Sequence, residues 1–363
     1  MLKFFQPVIG TDECKAVHKT VKSGWISSQG KIIEEFEENF SKWHGMKYAV
    51  ATSNCTTALH LSLLSLGIGK GDEVICSNLT FIAPANMIEL TGAKLVLVDV
   101  EPGTFCMDLM QLKKKITNRT KAIMVIHPFG YPVDIGKIKK IIKNKKIKII
   151  EDVAESIGAK VKHKLCGTLG DISCFSFFAN KIMTTGEGGM ILTNNKSIFN
   201  KAKLLRDHGM SIEKRYYHQL LAFNYRMTSM QAALGVVQLK KLKKILYQKK
   251  KLYNFYQQNL QTDYFSIFPN EQNENAVNWF VTLTFKRSNL RNRFIKYMNL
   301  KGVECRPMIF PVSSAKHFKS KFDKKNYKNS YKISLNSVHL PSSTCLKKQQ
   351  LKLICKYINN WKF

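Results

Sequence analysis

The sequence predicts an α/β fold in which a large domain with a mainly parallel, seven-stranded sheet is followed by a smaller C-terminal α+β domain. Three observations lead to this prediction. Seven short apolar runs alternate with helical stretches over the first half of the chain. Several of these runs are almost continuous Val, Ile and Leu, which is typical of strands buried on both faces of a parallel sheet. From about residue 228 the pattern changes to one long helical stretch, an alternating run and a final helical stretch.

The large domain is predicted over residues 1–240. It contains the stretch KIIEEFEENFSKWHG, in which apolar residues recur at helical spacing and Gly45 ends the helix. The strand-like runs that follow are YAVATS, DEVICS, KLVLVDV, AIMVIHPF, IKIIEDVAES, CFSFF and GMILTN. Helical stretches such as TTALHLSLLSLG and APANMIELTG lie between them, so each strand can return to the same sheet through a helix.

The smaller domain is predicted over residues 241–363. The long helix that leads into it, TSMQAALGVVQLKKLKKILYQKKKLYNFYQQNL, has an apolar stripe of Val236, Leu239, Leu242 and Leu246. An alternating strand, VNWFVTLTF, and a last helix, LKKQQLKLICKYINNW, complete the domain.

Cysteine usage and hydropathy indicate a cytoplasmic protein that does not span a membrane. The nine cysteines are odd in number, scattered and never arranged as CxxC, which argues against a disulfide framework and a structural zinc site, so we expect no metal. No apolar run approaches the roughly 18–20 residues that a membrane-spanning helix needs. The beginning, MLKFFQPVIGTDE, lacks the apolar region of a signal peptide.

The formal net charge of +33 raises the possibility of nucleic-acid binding. Only eight of the 58 basic residues are arginine, and the lysines spread over most of the chain without any nucleic-acid-binding motif. We therefore favour a solvated basic surface that helps to gather an anionic small substrate, with no nucleic-acid partner. A basic nucleic-acid-binding protein without catalysis is the alternative from a different class.

The stretch TSNCTTALHLSL is a candidate anion site. A strand ends near Thr52 and a helix opens near Thr56, so the first N–H groups of that helix would face an anion at the positive end of the helix dipole. The alternative is an ordinary helix N-cap at Ser53 or Asn54.

Asp152 is the last residue of the buried strand IKIIED, at the end of the strand where open α/β sheets place their ligands. The alternative is an N-cap for the stretch VAESIGA.

Lys181 is an isolated lysine between the aromatic run CFSFF and the turn TTGEGG. Desolvation lowers the pKa of a lysine, which suits Schiff-base chemistry, and Gly186, Gly188 and Gly189 would let the backbone approach a flat ligand. The alternative is a lysine that reaches the solvent. An anion site, a carboxylate and an amine match the phosphate, the ring nitrogen and the aldehyde of pyridoxal 5'-phosphate (PLP), which is therefore the predicted cofactor.

Over nearly its whole length the chain resembles the sugar-nucleotide aminotransferases of the DegT/DnrJ/EryC1/StrS family. The similar segments are GWISSQGKIIEEFEENF, SNCTTALHLSLLSLGIGKGDEVI, LTFIAPANMIELTGAKLVLVDV, IEDVAESIGA, GDISCFSFFANKIMTTGEGGMILTN, LRDHGM and FNYRMTSMQAALG. The resemblance implies the aspartate-aminotransferase-like fold, PLP fold type I.

The resemblance also implies roles for individual residues. Lys181 is expected to be the Schiff-base lysine and proton shuttle, and Asp152 to pair with the pyridine nitrogen. Phe81 is expected to stack on the ring, and Glu155 to lie near the 3'-oxygen. The residues expected at the phosphate are Asn54, Cys55, Thr56 and Ser176.

Asn224, with Tyr225 and Arg226 beside it, matches a segment that reaches the phosphate site of a neighbouring subunit in the family. This match implies a homodimer with shared active sites.

The chain departs from the family pattern at two places. Cys55 stands where relatives usually have glycine, which adds a Cβ where the backbone curls around the phosphate. Pro128, in HPFGYP, stands where relatives have an apolar residue. One branch of the family replaces the lysine by histidine and catalyses dehydration, and Lys181 argues against that branch.

The segments ECRPMIFPVSSAKHF and LNSVHLPSS resemble the perosamine-synthase branch. This implies transfer of an amino group from L-glutamate to C4 of GDP-4-keto-6-deoxy-D-mannose, with Tyr225, Arg226, Arg306 and Ser313 as candidate substrate contacts. A UDP-linked 4-keto sugar, another keto-sugar and a PLP-binding protein without catalysis remain alternatives. The pathway served, which leads to an O-antigen, a glycoprotein or an antibiotic, is left open.

Overall fold

The strands and helices of the computed structural model follow the predicted order. The structure describes all residues except 144–145, 212, 262–263, 270–272, 274, 288 and 363. Within these residues the strands are β1 (Tyr48–Thr52), β2 (Glu73–Ser77), β3 (Lys94–Val98), β4 (Thr120–Ile126), β5 (Lys148–Asp152), β6 (Lys160–Val161), β7 (Lys164–Leu165), β8 (Ile172–Ser176), β9 (Gly189–Thr193), β10 (Phe265–Phe268), β11 (Thr282–Phe285), β12 (Arg306–Pro307) and β13 (Ser337–His339). The helices are α1 (Thr11–Lys22), α2 (Lys31–His44), α3 (Cys55–Ser65), α4 (Ile82–Leu90), α5 (Leu109–Lys115), α6 (Ile135–Ile141), α7 (Lys196–Arg206), α8 (Ser229–Asn259), α9 (Leu290–Leu300), α10 (Lys328–Asn336) and α11 (Lys348–Asn359).

The large sheet brings together the seven predicted runs in the order β1-β9-β8-β5-β4-β2-β3. Strand β9 is antiparallel to both of its neighbours, and the other pairings are parallel. The prediction of a mainly parallel seven-stranded sheet is therefore confirmed. Because β1, β5 and β8 run in the same direction, their carboxyl ends meet at one edge of the sheet, where β9 begins.

The large sheet is buried on both faces, as its apolar runs predict. Side chains alternate along β2, so that Val74 and Cys76 pack with α3 and α4 while Ile75 packs with α5 and α6. A further cluster joins β1, β8 and β9 to α2 and α8. Helix α2 ends at Gly45, whose φ of 68° is left-handed, as expected of a glycine C-cap.

The smaller sheet has the order β10-β11-β13-β12, and its pairings are all antiparallel among the described residues. Its core includes Phe285, Phe294, Ile354 and Trp361. Helix α8 runs through residue 240 without a break, and Val236, Leu239 and Leu242 of its predicted stripe are buried. The domain division at 240 stays a prediction.

One predicted strand is too long. The run VNWFVTLTF forms a strand over Thr282–Phe285, but Trp279 and Phe280 precede that strand. The Trp279 N–H donates to the Phe129 carbonyl at 2.9 Å, which draws this segment against a loop of the large sheet instead of extending β11.

In the part of the chain that the structure describes, no helix combines the length and the apolar character needed to cross a bilayer.

Candidate active site

A cavity of about 720 Å³ lies at the edge where the parallel strands of the large sheet end. Strand ends and helix starts meet there, so short loops can direct side chains into one space. The predicted site residues that line this cavity are Asn54, Cys55, Thr56, Phe81, Asp152, Glu155, Ser176, Lys181 and Arg306.

The N-terminus of α3 forms one wall of the cavity. Asn54 is the N-cap, and its side chain accepts a hydrogen bond from the Thr57 N–H at 2.9 Å. The N–H groups of the first helical turn have no acceptor inside the helix, and the Asn54 cap takes only that of Thr57. The N–H groups of Cys55 and Thr56 are thereby left for an anion, with the Ser176 hydroxyl lining the same cavity. The cap and the anion site are thus compatible in one turn.

Cys55 does not need the conformational freedom of glycine. It is the first residue of α3 and is absent from the described residues with positive φ. Its thiol packs against the core beneath the turn, and burial raises the pKa of the thiol well above its usual value. The positive φ that glycine allows is therefore not needed at Cys55, because a helical backbone accepts a Cβ.

Gly189 allows the close approach of another part of the backbone, whereas the sequence predicted the close approach of a ligand. A Cβ at this position would lie 2.5 Å from the backbone carbon of Asn54. Gly186, Gly188 and Gly189 are not among the residues that line the cavity. At Gly189 the missing side chain brings the start of β9 against the Asn54 turn, and does not serve contact with a ligand.

Asp152 ends β5 with its side chain in the cavity and only 6% of the residue exposed. Its carboxylate accepts a hydrogen bond from the Ala154 N–H at 2.9 Å. Burial raises the pKa of Asp152, and the Ala154 N–H and the Lys181 amine offset this only in part. A cationic N–H in the cavity would therefore stabilise the carboxylate form.

A buried network beneath the cavity fixes the end of β5. The Val133 N–H donates to Nδ1 of His127 at 2.9 Å, so the ring proton lies on Nε2, which donates to Glu151 at 3.1 Å. The Gly167 N–H donates to the same Glu151 carboxylate at 2.9 Å. With Glu151 held in this way, the next residue, Asp152, has a fixed orientation.

Lys181 lies in the loop after β8, and its side chain is 12% exposed. Its Nζ is 3.9 Å from Oε1 of Glu155 and 3.6 Å from the ring centroid of Trp279. Burial lowers the pKa of Lys181, while the carboxyl groups of Glu155 and Asp152 oppose this shift. The amine is desolvated and accessible from the cavity, as a nucleophile and proton carrier requires.

Glu155 is tied to an unusual backbone conformation. Its Oε2 accepts a hydrogen bond from the Phe129 N–H at 2.8 Å. Phe129 has a φ of 50°, which bulky residues rarely adopt, and such strain concentrates at functional sites. Burial raises the pKa of Glu155, with Lys181 opposing the shift.

Phe81 lies at the start of α4 and is 60% exposed in this chain. It lines the cavity, so its ring is available to a flat ligand.

The segment expected to reach a neighbouring subunit lies outside the cavity. The Ser53 N–H donates to the Tyr225 carbonyl at 2.9 Å, beside the turn that leads into α3. Asn224 forms a backbone bridge with Asp207, whose carboxylate pairs with the Arg226 guanidinium. The roles of Asn224, Tyr225 and Arg226 stay predictions.

The two C-terminal substrate candidates are placed differently. Arg306 lines the cavity, with its guanidinium 3.0 Å from the Glu304 carboxylate. Ser313 is buried, its N–H donates to Asn78 and its hydroxyl donates to Tyr331, and it does not line the cavity. A direct substrate contact for Ser313 stays a prediction without geometric support in this chain.

Sequence reasoning missed several cavity residues, among them Phe129, Asn180, Trp279, Phe280 and His339. One signal was available: Trp279, Phe280 and Val281 are three successive apolar residues, which break the alternation of a half-buried strand.

Comparison with known proteins identifies the family to which this chain belongs. Residues 7–359 match the profile of the DegT/DnrJ/EryC1/StrS aminotransferase family. The GDP-perosamine synthase of Escherichia coli O157:H7 is 36% identical over 357 residues, covering 98% of this chain and 97% of that protein. The GDP-perosamine synthase of Caulobacter vibrioides is 41% identical over 315 residues, covering 84% of each protein.

A solved structure extends the similarity to three dimensions. A GDP-4-keto-6-deoxymannose-3-dehydratase with a trapped PLP-glutamate geminal diamine superimposes with a TM-score of 0.91 at 25% identity, covering 99% of this chain and 100% of that one. The predicted resemblance is confirmed, and this chain belongs to the DegT/DnrJ/EryC1/StrS aminotransferase family.

Proposed function

We propose that this chain is a PLP-dependent aminotransferase that moves an amino group from L-glutamate to the C4 keto group of GDP-4-keto-6-deoxy-D-mannose, giving GDP-perosamine. The observation that carries the proposal is the meeting of the Lys181 amine, the Asp152 carboxyl and the N-terminus of α3 in one cavity. The two GDP-perosamine synthases at 36% and 41% identity support the choice of sugar nucleotide.

The residues of the cavity fit PLP. The helix terminus offers N–H groups for the phosphate, Asp152 a carboxyl for the ring nitrogen and Lys181 an amine for the aldehyde. The side-chain oxygen of Asn180 is buried and has no hydrogen-bond partner among the described residues, although Asn180 lines the cavity. An unpartnered buried oxygen is expected where a ligand supplies the missing donor.

PLP, when bound, supplies an electron sink that lets the carbon bearing the amino group lose a proton. The Nζ of Lys181 takes that proton and passes it to the adjacent carbon of the cofactor. When the keto-sugar is the acceptor, the same atom moves a proton in the opposite direction. Asp152 would accept a hydrogen bond from the ring nitrogen and keep that nitrogen protonated. Glu155, which is held by the Phe129 N–H, orients the amine through the charge of its carboxylate.

Arg306 is the cavity residue best suited to hold an anionic group of a substrate. Its Nε and Nη2 donate to one oxygen of Glu304, which leaves donors on Nη1 for a carboxylate or a phosphate. We assign it to glutamate or to the sugar nucleotide.

The active form is proposed to be a homodimer in the cytoplasm. Exposed apolar side chains precede Asn224, with Leu221 exposed by 92% and Tyr216 by 74%, and such side chains are typical of an interface. The nine cysteines are all free, as expected of a reducing compartment. A molar mass of twice 41.6 kDa by light scattering would support the dimer, and the mass of one chain would contradict it.

The absorption spectrum of the purified protein with PLP tests the proposal. We expect a long-wavelength band that moves to shorter wavelength with L-glutamate and returns when GDP-4-keto-6-deoxy-D-mannose is added. Return with a UDP-linked 4-keto sugar alone would replace the GDP sugar as the substrate. A band that does not respond to glutamate would contradict an aminotransferase.

A further inference from the structure

The indole ring of Trp279 covers the amine of Lys181. The Nζ of Lys181 lies 3.6 Å from the ring centroid, and Glu155 is the one carboxylate within 4 Å of it among the described residues. An ammonium over the face of an indole is attracted by the ring quadrupole, and the attraction grows when the pair is shielded from water. Trp279 is 4% exposed, so this pair is shielded.

Trp279 is held at each of its polar groups. Its backbone N–H donates to the Phe129 carbonyl at 2.9 Å, and its indole N–H donates to the Asn180 carbonyl at 2.7 Å. Its ring stacks on Phe280 with centroids 3.7 Å apart. The ring cannot turn away from Lys181 without breaking the indole hydrogen bond and the stacking on Phe280, so it is a fixed surface beside the amine.

The carbonyl of Trp279 is held by a buried lysine of α8. The Nζ of Lys249 donates to the Trp279 carbonyl at 2.7 Å and to the Ser342 carbonyl at 2.6 Å. Lys249 is 1% exposed and has no carboxylate within ion-pair distance in the described part of the chain. Its amine also lies 5.1 Å from the ring centroid of Phe5. Burying an amine without a carboxylate is unfavourable unless its hydrogen bonds are made, so the lysine and the two carbonyls hold each other in place.

We propose that the face of Trp279 receives the ammonium of Lys181 whenever this amine is not joined to the cofactor, and that Lys249 is a positioning residue that holds Trp279 in place. The inference rests on the proposed function, because it concerns the free state of the catalytic lysine. It gives that lysine a defined position in the cavity between its two proton transfers.

Other charged groups also act on the amine. The side chains of Glu155, Asp152 and Cys55 raise the pKa of Lys181, and burial lowers it. Replacing Trp279 by a small residue would admit water and change the burial as well. The ring must therefore be altered without changing its size, and fluorination does this, because each fluorine weakens the negative face of the indole.

The test places singly, doubly or triply fluorinated tryptophan at position 279 of the full-length protein loaded with pyridoxamine phosphate, in which Lys181 is free. Fluorine NMR then follows the resonance of this ring as a function of pH. We expect the resonance to report the titration of Lys181, and its midpoint to fall by about 0.5 to 1 pH unit over the series. The control places the same fluorinated tryptophans at position 43, because Trp43 does not line the cavity. The midpoint of the Lys181 titration should not change with fluorination at that position.

Substitutions at Lys181 and Lys249 test the contact and the positioning role separately. Burial lowers the pKa of Lys249 to about 7, so this amine can give a step of its own, which should be absent in Lys249→Met. Lys181→Met should abolish the step whose midpoint moves with fluorination, and persistence of that step would overturn the contact. Lys249→Met should broaden or move the Trp279 resonance, whereas Lys250→Met, at an exposed position of the same helix, should not. An unchanged resonance in Lys249→Met would overturn the positioning role. If the methionine variant does not fold, Lys249→Gln is used instead, because its side chain is one atom shorter and cannot place a donor where Nζ lies. The resonance should then move by a smaller amount, and an unchanged resonance would again overturn the role.

A midpoint that does not change with fluorination would also overturn the proposal. These results are independent of the glutamate response in the absorption spectrum. Failure of the aminotransferase assignment and failure of the Trp279 contact are therefore distinguishable.

Discussion

Asp152→Asn should lower the rate of amino transfer and at the same time stabilise the protein without its cofactor. The substitution keeps the shape of the side chain but removes the negative charge that faces the ring nitrogen. A hydrogen bond to a charged group contributes roughly 1.5 to 3 kcal/mol. At about 1.4 kcal/mol for each factor of ten, we expect the rate to fall by one to two orders of magnitude.

The expected gain in stability follows from the pKa of Asp152. Burial raises this pKa above its ordinary value of 3.8, so the folded protein binds the proton more tightly than the unfolded chain. The contribution of this group to the free energy of unfolding is therefore greatest in acid, falls as the pH rises from 3.8 through the raised value, and is lost at neutral pH. Asparagine resembles the protonated carboxyl at every pH, so the variant should be more stable than wild type at neutral pH and equally stable in acid.

Urea unfolding of the cofactor-free proteins at several pH values, together with the rate of amino transfer, measures both effects. Asp108→Asn is the matched control, because it makes the same exchange at the N-cap of α5. Aspartate and asparagine both accept the hydrogen bonds of the first helical N–H groups. The control should therefore change neither the free energy of unfolding nor the rate of amino transfer. A rate within a few-fold of wild type would refute the role at the ring nitrogen. A loss of stability at neutral pH would refute the inferred direction of the pKa.

Three further substitutions test other parts of the site. Lys181→Ala should abolish turnover, because the proton carrier is removed, and product formation at the wild-type rate would refute its role. Gly189→Ala should weaken PLP binding in a spectrophotometric titration, since its Cβ would lie 2.5 Å from the backbone of Asn54, whereas Gly103→Ala, with open space at the Cβ, should not. Glu155→Gln should lower the pKa of Lys181 by removing a carboxylate that raises it, so the acid limb of the pH–rate profile should move to lower pH; movement to higher pH would contradict this.

The strands could be predicted because burial on both faces leaves a simple trace in the sequence. The runs at β3 and β4 contain the uninterrupted apolar stretches LVLV and AIMVI, and helical stretches lie between successive runs. Their order in the sheet left no such trace. The insertion of β9 between β1 and β8 depends on pairings between distant residues, such as Val50 with Ile191, which no local periodicity encodes.

The site also has one part that local sequence predicts and one part that depends on contacts between distant residues. Asp152 and the turn at Asn54 follow buried strands, and Lys181 lies just after another, so the rule that ligands bind at strand ends located them. Trp279 reaches the cavity from the second half of the chain through its hydrogen bonds to Phe129 and Asn180. A contact of that kind arises from tertiary packing and cannot be predicted from local pattern.

Cys55 shows that the backbone conformation decides whether a position needs glycine. The glycine that relatives usually have here suggested that a side chain would disturb the phosphate turn. In this chain the backbone is already helical at Cys55, and the thiol packs inward. The requirement for glycine is at Gly189 on the other side of the turn, where the neighbouring backbone leaves no room for a Cβ.

The most direct test of the central claim is to find which residue carries the cofactor. Borohydride reduction of the protein with bound PLP fixes the cofactor to the lysine that holds it, and peptide mass spectrometry then identifies that lysine among the many in the chain. We expect the added mass on the peptide that contains Lys181, and no fixed cofactor in Lys181→Ala. Added mass on another lysine, or none on any, would contradict the assignment of this cavity as the active site.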